Sequence, residues 1–283
     1  MTRLSTVIFP VAGLGTRMLP ATKVTPKELL PVYDTPLLQF ALEEALAAGA
    51  RRLVFVSHPE KAAIEDYLRP VPNLESKLEA KGKHELLDAV RASRVPDGVD
   101  VVFVMQPEAL GLGHAVLCAA DHVLDGPVGV ILPDDLILGR PALREMADAF
   151  DQQTMTSLVA AQMVASDRVS SYGIFDCDDG EFAPGTARPA RAFVEKPAPG
   201  DAPSRLAAVG RYVLSPGIFD ALRATEAGAG GEIQLTDAIA AMGGIHAFRF
   251  SGTRHDCGSK DGMVEATLAV QKGRRSHLSV AAE

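Results

Sequence analysis

Three cations, Arg17, Lys23 and Lys27, crowd the stretch just after Val11-Ala12-Gly13-Leu14-Gly15. That stretch follows the apolar run Thr6–Val11, which reads as a buried strand, so the chain must turn there. Small residues at such a turn expose successive backbone N–H groups, here around Ala12, Gly13 and Gly15, and these suit an anion. With cations beside them, they point to a site for the phosphates and base of a nucleotide. A glycine turn after a strand is also an ordinary connection. Two better-known phosphate loops do not fit: one needs a third glycine where Met18 stands, and the other needs Gly-Lys-Ser/Thr.

Other groups offer complementary chemistry. Asp134 and Asp135 end the apolar run Val128–Leu132. A strand-end carboxylate facing a phosphate loop suits magnesium, which takes carboxylate oxygen together with substrate phosphates and water. Gln106–Ala115 taken alone reads as a turn into a helix; the Gln106 amide offers both a donor and an acceptor, and Gly111 allows a close approach of backbone. Glu195-Lys196-Pro197 taken alone reads as an exposed turn, and Gly231–Asp237 as an acidic helix start. No Ser/His/Asp or Cys/His pattern stands out.

Alternating strands and helices must position these groups. Thr35-Pro36 opens a helix with Pro at its first helical position; Leu37, Leu38, Ala41, Leu42, Ala45 and Leu46 form its apolar face and Gly49 ends it. Leu53–Val56, Asp100–Met105 and Val128–Leu132 are further strands. Residues 60–94 are helical in pattern, broken at Pro70 and Pro72, while Gln106–Gly113 reads as a loop and His114–Val123 as a helix. Three strand-helix steps in about 130 residues predict an α/β fold with a doubly wound, mostly parallel, Rossmann-like mixed sheet flanked by helices. Such sheets hold ligands outside the carboxyl ends of their strands, where the glycine loop, Gln106–Gly113 and Asp134-Asp135 all lie. Beyond residue 150 the strands are short: Ser157–Met163, Tyr172–Asp176, Arg191–Glu195, Ala207–Val213 and Ala247–Ser251. Helices are expected over Phe219–Leu222, Gln234–Met242 and Lys260–Lys272, the last with Met263, Leu268 and Val270 at apolar positions. This half reads as a smaller mixed extension sharing the sheet, so residues 1–283 form one domain with halves at 1–150 and 151–283.

Bulk composition narrows the functional classes. Apolar residues make up 47% of 283, ample for a core. No run reaches the ~18 apolar residues of a membrane span. A net charge of −8, with aromatics at 5% and no Trp, argues against a nucleic-acid or acidic-membrane surface. It leaves room for a phosphorylated substrate in a cleft governed by local cations. Cys118, Cys177 and Cys257 are far apart and odd in number, which suits buried thiols in a reducing cytoplasm.

The segment Val11–Glu28 resembles the signature of the sugar-1-phosphate nucleotidylyltransferases, most nearly the bacterial UTP–glucose-1-phosphate uridylyltransferases. Gln106–Ala115, Tyr172-Gly173, Val194–Pro197, Val209-Gly210, Gly231–Asp237 and His255–Gly258 resemble further motifs of that family, in family order from about Thr6 to Gln271. The resemblance implies transfer of a nucleotidyl group from UTP to glucose 1-phosphate, with Mg2+ and loss of pyrophosphate. It implies that Arg17 and Lys27 contact the triphosphate and that Glu28 adjoins the base or ribose, although a salt bridge to a nearby lysine would explain Glu28 as well. Ala12, Gly13, Gly15, Gln106 and Gly111 would complete the nucleotide side. On the sugar side it implies Gly173, Glu195, Val209, Gly210 and Asp135, with Lys196 neutralising phosphate charge. Asp134 would hold the metal, with Asp237 as a second ligand by analogy with thymidylyltransferase relatives. Relatives commonly self-associate as dimers or tetramers.

Other readings have specific requirements. The same chemistry with another nucleotide, such as dTTP, or another sugar phosphate would differ only in pocket detail. A non-catalytic sugar-nucleotide sensor on this fold is expected to lack Lys196 or Asp134, and both are present. A nicotinamide-dependent oxidoreductase would want an acid after the second strand, where Ser57-His58 stands.

Overall fold

The computed structural model describes residues 4–280 apart from 179, 181, 229 and 230. Fourteen strands occur among them: β1 (Thr6–Pro10), β2 (Pro31–Val32), β3 (Thr35–Pro36), β4 (Arg52–Ser57), β5 (Asp100–Met105), β6 (Val128–Ile131), β7 (Asp135–Leu138), β8 (Ser157–Met163), β9 (Gly173–Asp176), β10 (Thr186–Pro189), β11 (Ala192–Glu195), β12 (Leu206–Leu214), β13 (Ile245–Arg249) and β14 (Thr253–Asp256). The helices are α1 (Leu37–Ala47), α2 (Ala62–Leu68), α3 (Pro72–Ala80), α4 (His84–Ala92), α5 (Gly111–Cys118), α6 (Ala142–Ala149), α7 (Ile218–Ala224), α8 (Leu235–Met242) and α9 (Lys260–Val280).

Ten strands form one sheet whose main path runs β10-β13-β8-β12-β6-β1-β4-β5, with β9 and β11 branching beside β12. β6, β1, β4 and β5 are parallel neighbours. β12 enters antiparallel to β6 and β8, and β13 is parallel to β8. Six strands of the main path therefore run in one sense, with β12 and β10 reversed. The sheet is mixed but mostly parallel in direction, and it passes without interruption from the first half into the second.

The sequence alternation explains the two covering layers. In β1, Val7 and Phe9 face one core and Ile8 the other, as a period of two requires. On the first face Phe9, Phe55 and Phe103 stack across three parallel strands, with ring centroids 4.7 and 5.2 Å apart. α1 and α6 close this face through Leu38, Leu42, Leu143 and Met146. α5, α7 and α8 close the opposite face through Val116, Phe219, Leu222 and Ile239. Strands covered on both faces need the near-continuous apolar runs that marked them in the sequence.

Several expectations are corrected. Thr35-Pro36 is a short strand paired with Pro31-Val32, and α1 begins only at Leu37 with Pro36 as its cap. The Pro36 ψ of 143° is extended, so the residue stands outside the helix. α5 starts at Gly111 rather than His114 and ends at Cys118, followed by a 3-10 turn at Ala120–His122. The early start is fixed from outside: Gly113 N–H donates to Ile233 O at 2.9 Å, and Ile233 N–H to Leu110 O at 2.8 Å. β7, β14, β10 and α6 were not anticipated. On α9, Met263, Ala266 and Val270 pack inward while Leu268 is exposed. Among the described residues no helix is long and apolar enough to cross a membrane.

Candidate active site

A cleft of about 280 Å³ opens at the rim where β1 and β6 end. Arg17, Asp134 and Asp135 line it from the first half, and Gly173, Glu195, Val209 and Gly210 from the second. A larger hollow of about 580 Å³ lies elsewhere, between Val169, Cys177, Pro199 and Leu206, away from these groups. Lys196 follows Glu195 directly, and its Nζ stands 3.4 Å from Glu195 Oε1. Loops that are remote in sequence therefore converge as the strand-end argument expected.

The first wall carries the charge. The chain leaves β1 through Val11, whose N–H still donates to Val56 O at 2.8 Å. Ala12 and Gly13 follow in the open loop, with free space around Gly13, and Gly15 turns the chain at φ +66°. Arg17 then projects into the cleft with its side chain 67% exposed. Lys27, on the 3-10 turn Lys27–Leu29, donates to Asp134 Oδ2 at 2.6 Å, and Arg17 Nη2 stands 3.9 Å from the same oxygen. Burial pushes the Asp134 carboxyl up, but the charge and hydrogen bond of Lys27, aided by Arg17, outweigh it and leave Asp134 below the usual carboxylate range. Burial lowers Lys27 in turn, and Asp134 together with Glu28 more than restores it, so the ammonium is held above its ordinary value. Asp134 is an ionised, oriented carboxylate.

On the nucleotide side the structure departs from expectation at Glu28. Glu28, expected near base or ribose, is 1% exposed, and both its oxygens accept from Lys61 Nζ at 3.1 and 2.9 Å. Burial raises the Glu28 carboxyl and lowers the Lys61 ammonium, so desolvation outweighs their mutual attraction. The salt bridge left open as an explanation is the one the fold uses. At Gly111 (φ +92°), a Cβ would fall 2.8 Å from Glu232 Cβ, so glycine is required there by the neighbouring chain as well. Gln106 is buried at the end of β5, where Nε2 donates to Gly111 O at 3.2 Å and lies 3.1 Å from His114 Nδ1.

The second wall is shaped by a bulge. β12 shifts register against β8 between Ala208 and Tyr212. The backbone N–H of Gly210 in this bulge donates to Asp135 Oδ2 at 2.7 Å, while Gly210 O accepts from Leu132 N–H at 2.8 Å. A Cβ on Gly210 would come within 2.6 Å of Leu132 Cβ, so only glycine fits. Asp135 Oδ1 accepts from Arg254 Nε at 2.6 Å. Asp135, expected to contact sugar, thus has both oxygens engaged and holds the bulge that forms the wall. Glu195 pairs with Gly173 across β11 and β9, and its Oε2 accepts from Thr236 Oγ1 at 2.6 Å. Lys196 N–H donates to Tyr172 O at 3.0 Å with Lys196 at φ +42°, a left-handed conformation that non-glycine residues hold only under constraint.

Asp237, expected as a second metal ligand, does not line the cleft. It is exposed on the first turn of α8, the position before it, Thr236, being the one that reaches the wall. Among the described residues no cluster of three or more His, Cys, Asp or Glu side chains could cage a metal.

Sequence reasoning missed Arg254, Arg168, Tyr212, Thr236, Lys61 and the buried pair Glu44–Arg211. Arg254 could have been found: it lies two residues before Asp256, the spacing that puts both on one side of β14, and both line the cleft. Arg254 also places its guanidinium 5.4 Å from the centre of the Tyr172 ring. His255–Gly258, legible in the sequence only as a family-like motif, meets the cleft directly, with Cys257 N–H donating to Asp134 O at 2.8 Å. Burial pushes the Cys257 thiol up to about 12, with Asp134, Asp135 and Asp256 adding to the rise. Behind the wall, Arg211 Nη1 donates to Leu132 O at 3.0 Å and Gly210 O at 3.2 Å, bracing both segments from the core.

Comparison with known proteins points the same way. The sequence model of the family described as nucleotidyl transferase matches residues 6–273. The chain is 46% identical over 274 residues to a UTP–glucose-1-phosphate uridylyltransferase of Escherichia coli (strain K12), covering 94% of this chain and 89% of that protein. It is 43% identical over 272 residues to the Bacillus subtilis (strain 168) protein of the same name, covering 95% and 91%. A UTP-bound UGPase from Acinetobacter baumannii shares the fold with a TM-score of 0.85 at 39% identity, covering 94% of this chain and 93% of that one. With a match that runs through nearly its whole length, over this sheet and this cleft, the chain belongs to the nucleotidyl transferase family.

Proposed function

We propose that the chain transfers the uridylyl group of UTP to glucose 1-phosphate, giving UDP-glucose and pyrophosphate, with Mg2+ bound during the reaction. The observation that carries this is the placement of Arg17, Asp134 and Glu195 around one cleft. The uridylyltransferase names of the relatives at 46% and 43% identity and the UTP-bound neighbour support the choice of substrates.

In the reaction, an oxygen of the sugar phosphate attacks the α-phosphorus of UTP. A new P–O bond forms there, and the bond from the α-phosphorus to the bridging oxygen breaks, releasing pyrophosphate. The attacking phosphate has its second pKa near ~6, so it enters without a proton to remove and needs no general base. The barrier lies in bringing two anions together in line. Arg17, with its exposed fork, receives triphosphate oxygens, and Lys27 adds a point charge beside it. Lys196 neutralises the sugar phosphate, and Glu195 accepts from sugar hydroxyls next to it.

The residues present fit magnesium. Asp134 is an ionised oxygen donor, and a single carboxylate suffices for an ion whose remaining ligands are phosphate oxygens and water. Bound there, Mg2+ would screen the charge on the phosphates. Asp134 would hold it, and Lys27 would keep that carboxylate oriented.

We also infer that residues 1–283 act as one domain, that the chain works in the cytoplasm, in keeping with the free thiols of Cys118, Cys177 and Cys257, and that it self-associates as relatives do. The test of function is a matrix of nucleoside triphosphates against sugar 1-phosphates read by pyrophosphate release. UTP with glucose 1-phosphate is expected to give the highest kcat/KM; a clear preference for dTTP or another sugar phosphate would replace that assignment.

A further inference from the structure

The segment 231–237 was singled out for Asp237, yet Thr236 is the residue it delivers to the cleft. Thr236 is 8% exposed on the first turn of α8 and donates its hydroxyl to Glu195 Oε2 at 2.6 Å. Glu195 Oε1 meanwhile lies 3.4 Å from Lys196 Nζ. The two oxygens of one carboxylate are thus held differently, one by a buried hydroxyl and one by a cation whose side chain is 55% exposed. The segment is itself fixed to the nucleotide side, through Gly113 N–H to Ile233 O at 2.9 Å and Ile233 N–H to Leu110 O at 2.8 Å. Thr236 therefore stands on a braced support rather than on a free loop.

We propose that Thr236 is a positioning residue for sugar-phosphate recognition: its hydroxyl fixes the Glu195 carboxylate so that the other oxygen faces the sugar and Lys196 is released toward phosphate. This rests on the uridylyl-transfer reading of the site. When the sugar phosphate enters, Lys196 exchanges Glu195 Oε1 for phosphate, and that oxygen becomes an acceptor for a sugar hydroxyl. Oε2 stays with Thr236 throughout. Without the hydroxyl, the carboxylate is free to turn about its last torsion and to meet Lys196 with both oxygens. Sugar recognition and phosphate neutralisation then weaken together, while Arg17, Lys27 and Asp134 are untouched.

The test is steady-state kinetics on Thr236→Val, which keeps shape and removes the hydroxyl, and Thr236→Ser, which keeps the hydroxyl. KM is measured separately for glucose 1-phosphate and for UTP, with thermal unfolding recorded for each variant. A hydrogen bond to a charged group is worth about a tenfold change in affinity, so T236V is expected to raise KM for glucose 1-phosphate about tenfold and leave KM for UTP within twofold. T236S is expected to restore most of the sugar-phosphate KM. The proposal is overturned if T236V leaves that KM within twofold, if both KM values rise equally, or if T236S behaves like T236V. If the wild-type protein releases no pyrophosphate from UTP and glucose 1-phosphate, the uridylyl-transfer reading fails before Thr236 is tested, so the two failures are distinguishable.

Discussion

Replacing Glu44 with Gln exposes how the cleft is braced from behind. Glu44 lies on α1, far in sequence from any motif. Its carboxylate accepts from Arg211 Nε at 3.0 and 3.1 Å, from Arg211 Nη2 at 2.8 Å, and from Leu143 N–H at 2.9 Å. The two side chains are only 6% and 2% exposed. In E44Q the amide oxygen still accepts from Leu143 N–H, but Arg211 becomes a buried cation without its paired carboxylate, leaving only the more weakly coupled Asp135. Removing one partner of such a pair costs about 3–5 kcal/mol. In a domain of this size each kcal/mol moves the unfolding temperature by about 2–4 °C, so Tm falls by roughly 6–20 °C. Circular dichroism during a thermal scan reads this directly. Replacing both partners, Glu44→Leu with Arg211→Met, removes the stranded charge and is expected to recover much of the loss, since apolar pairs of similar volume often match a buried ion pair. A fall of less than about 2 °C in E44Q would refute the reasoning. A double variant no more stable than E44Q would show that the cost lies elsewhere than in an uncompensated charge.

Two more predictions concern the charged wall. Asp134 is held below its ordinary value, so its contribution to stability is present above the unfolded carboxylate value of 3.8 and is lost as pH falls through the folded one. Lys27 is held above its ordinary value, so its contribution is present below 10.5 and is lost as pH rises through the folded one. The pair is intact at neutral pH. In Lys27→Met, burial is opposed mainly by Arg17 and the Asp134 carboxyl rises, so the stability gap to wild type is expected to widen as pH climbs above the unfolded carboxylate value of 3.8 in thermal scans. A gap that does not change with pH would contradict the pairing. In Asp134→Ala, activity and its dependence on magnesium are expected to vanish together in a metal titration of pyrophosphate release. Full magnesium-dependent rates in that variant would remove Asp134 as the ligand.

Local pattern made much of this architecture legible. Continuous apolar runs located β1, β4, β5 and β6, because strands covered on both faces have no polar side to show. The rule that ligands gather at the carboxyl ends of such strands brought Arg17 and Asp134 to one place. What stayed hidden depends on contacts between distant segments. Whether Glu28 faces a ligand or Lys61 turns on how the 3-10 turn Pro59–Lys61 packs, which no local spacing encodes. Asp135 looked like a free carboxylate because neither the bulge in β12 nor the approach of Arg254 can be read from its neighbours. Asp237 attracted attention through its charge, whereas the start of α8 turns the less conspicuous Thr236 into the cleft. Glu44 and Arg211 belong to no motif and carry no local signal, and only packing between distant elements buries them together.

Fixed positive groups let two phosphates approach each other, and Lys196 tests this most directly because its ammonium stands beside Glu195, its one ion-pair partner among the described residues. Pyrophosphate release from UTP and glucose 1-phosphate should be compared between wild type and Lys196→Ala at saturating substrate. The expected result is a fall in kcat of about 100- to 1000-fold with the thermal transition unchanged, since the charge acts on the transition state rather than on the fold. An unchanged kcat in a folded Lys196→Ala protein would contradict it.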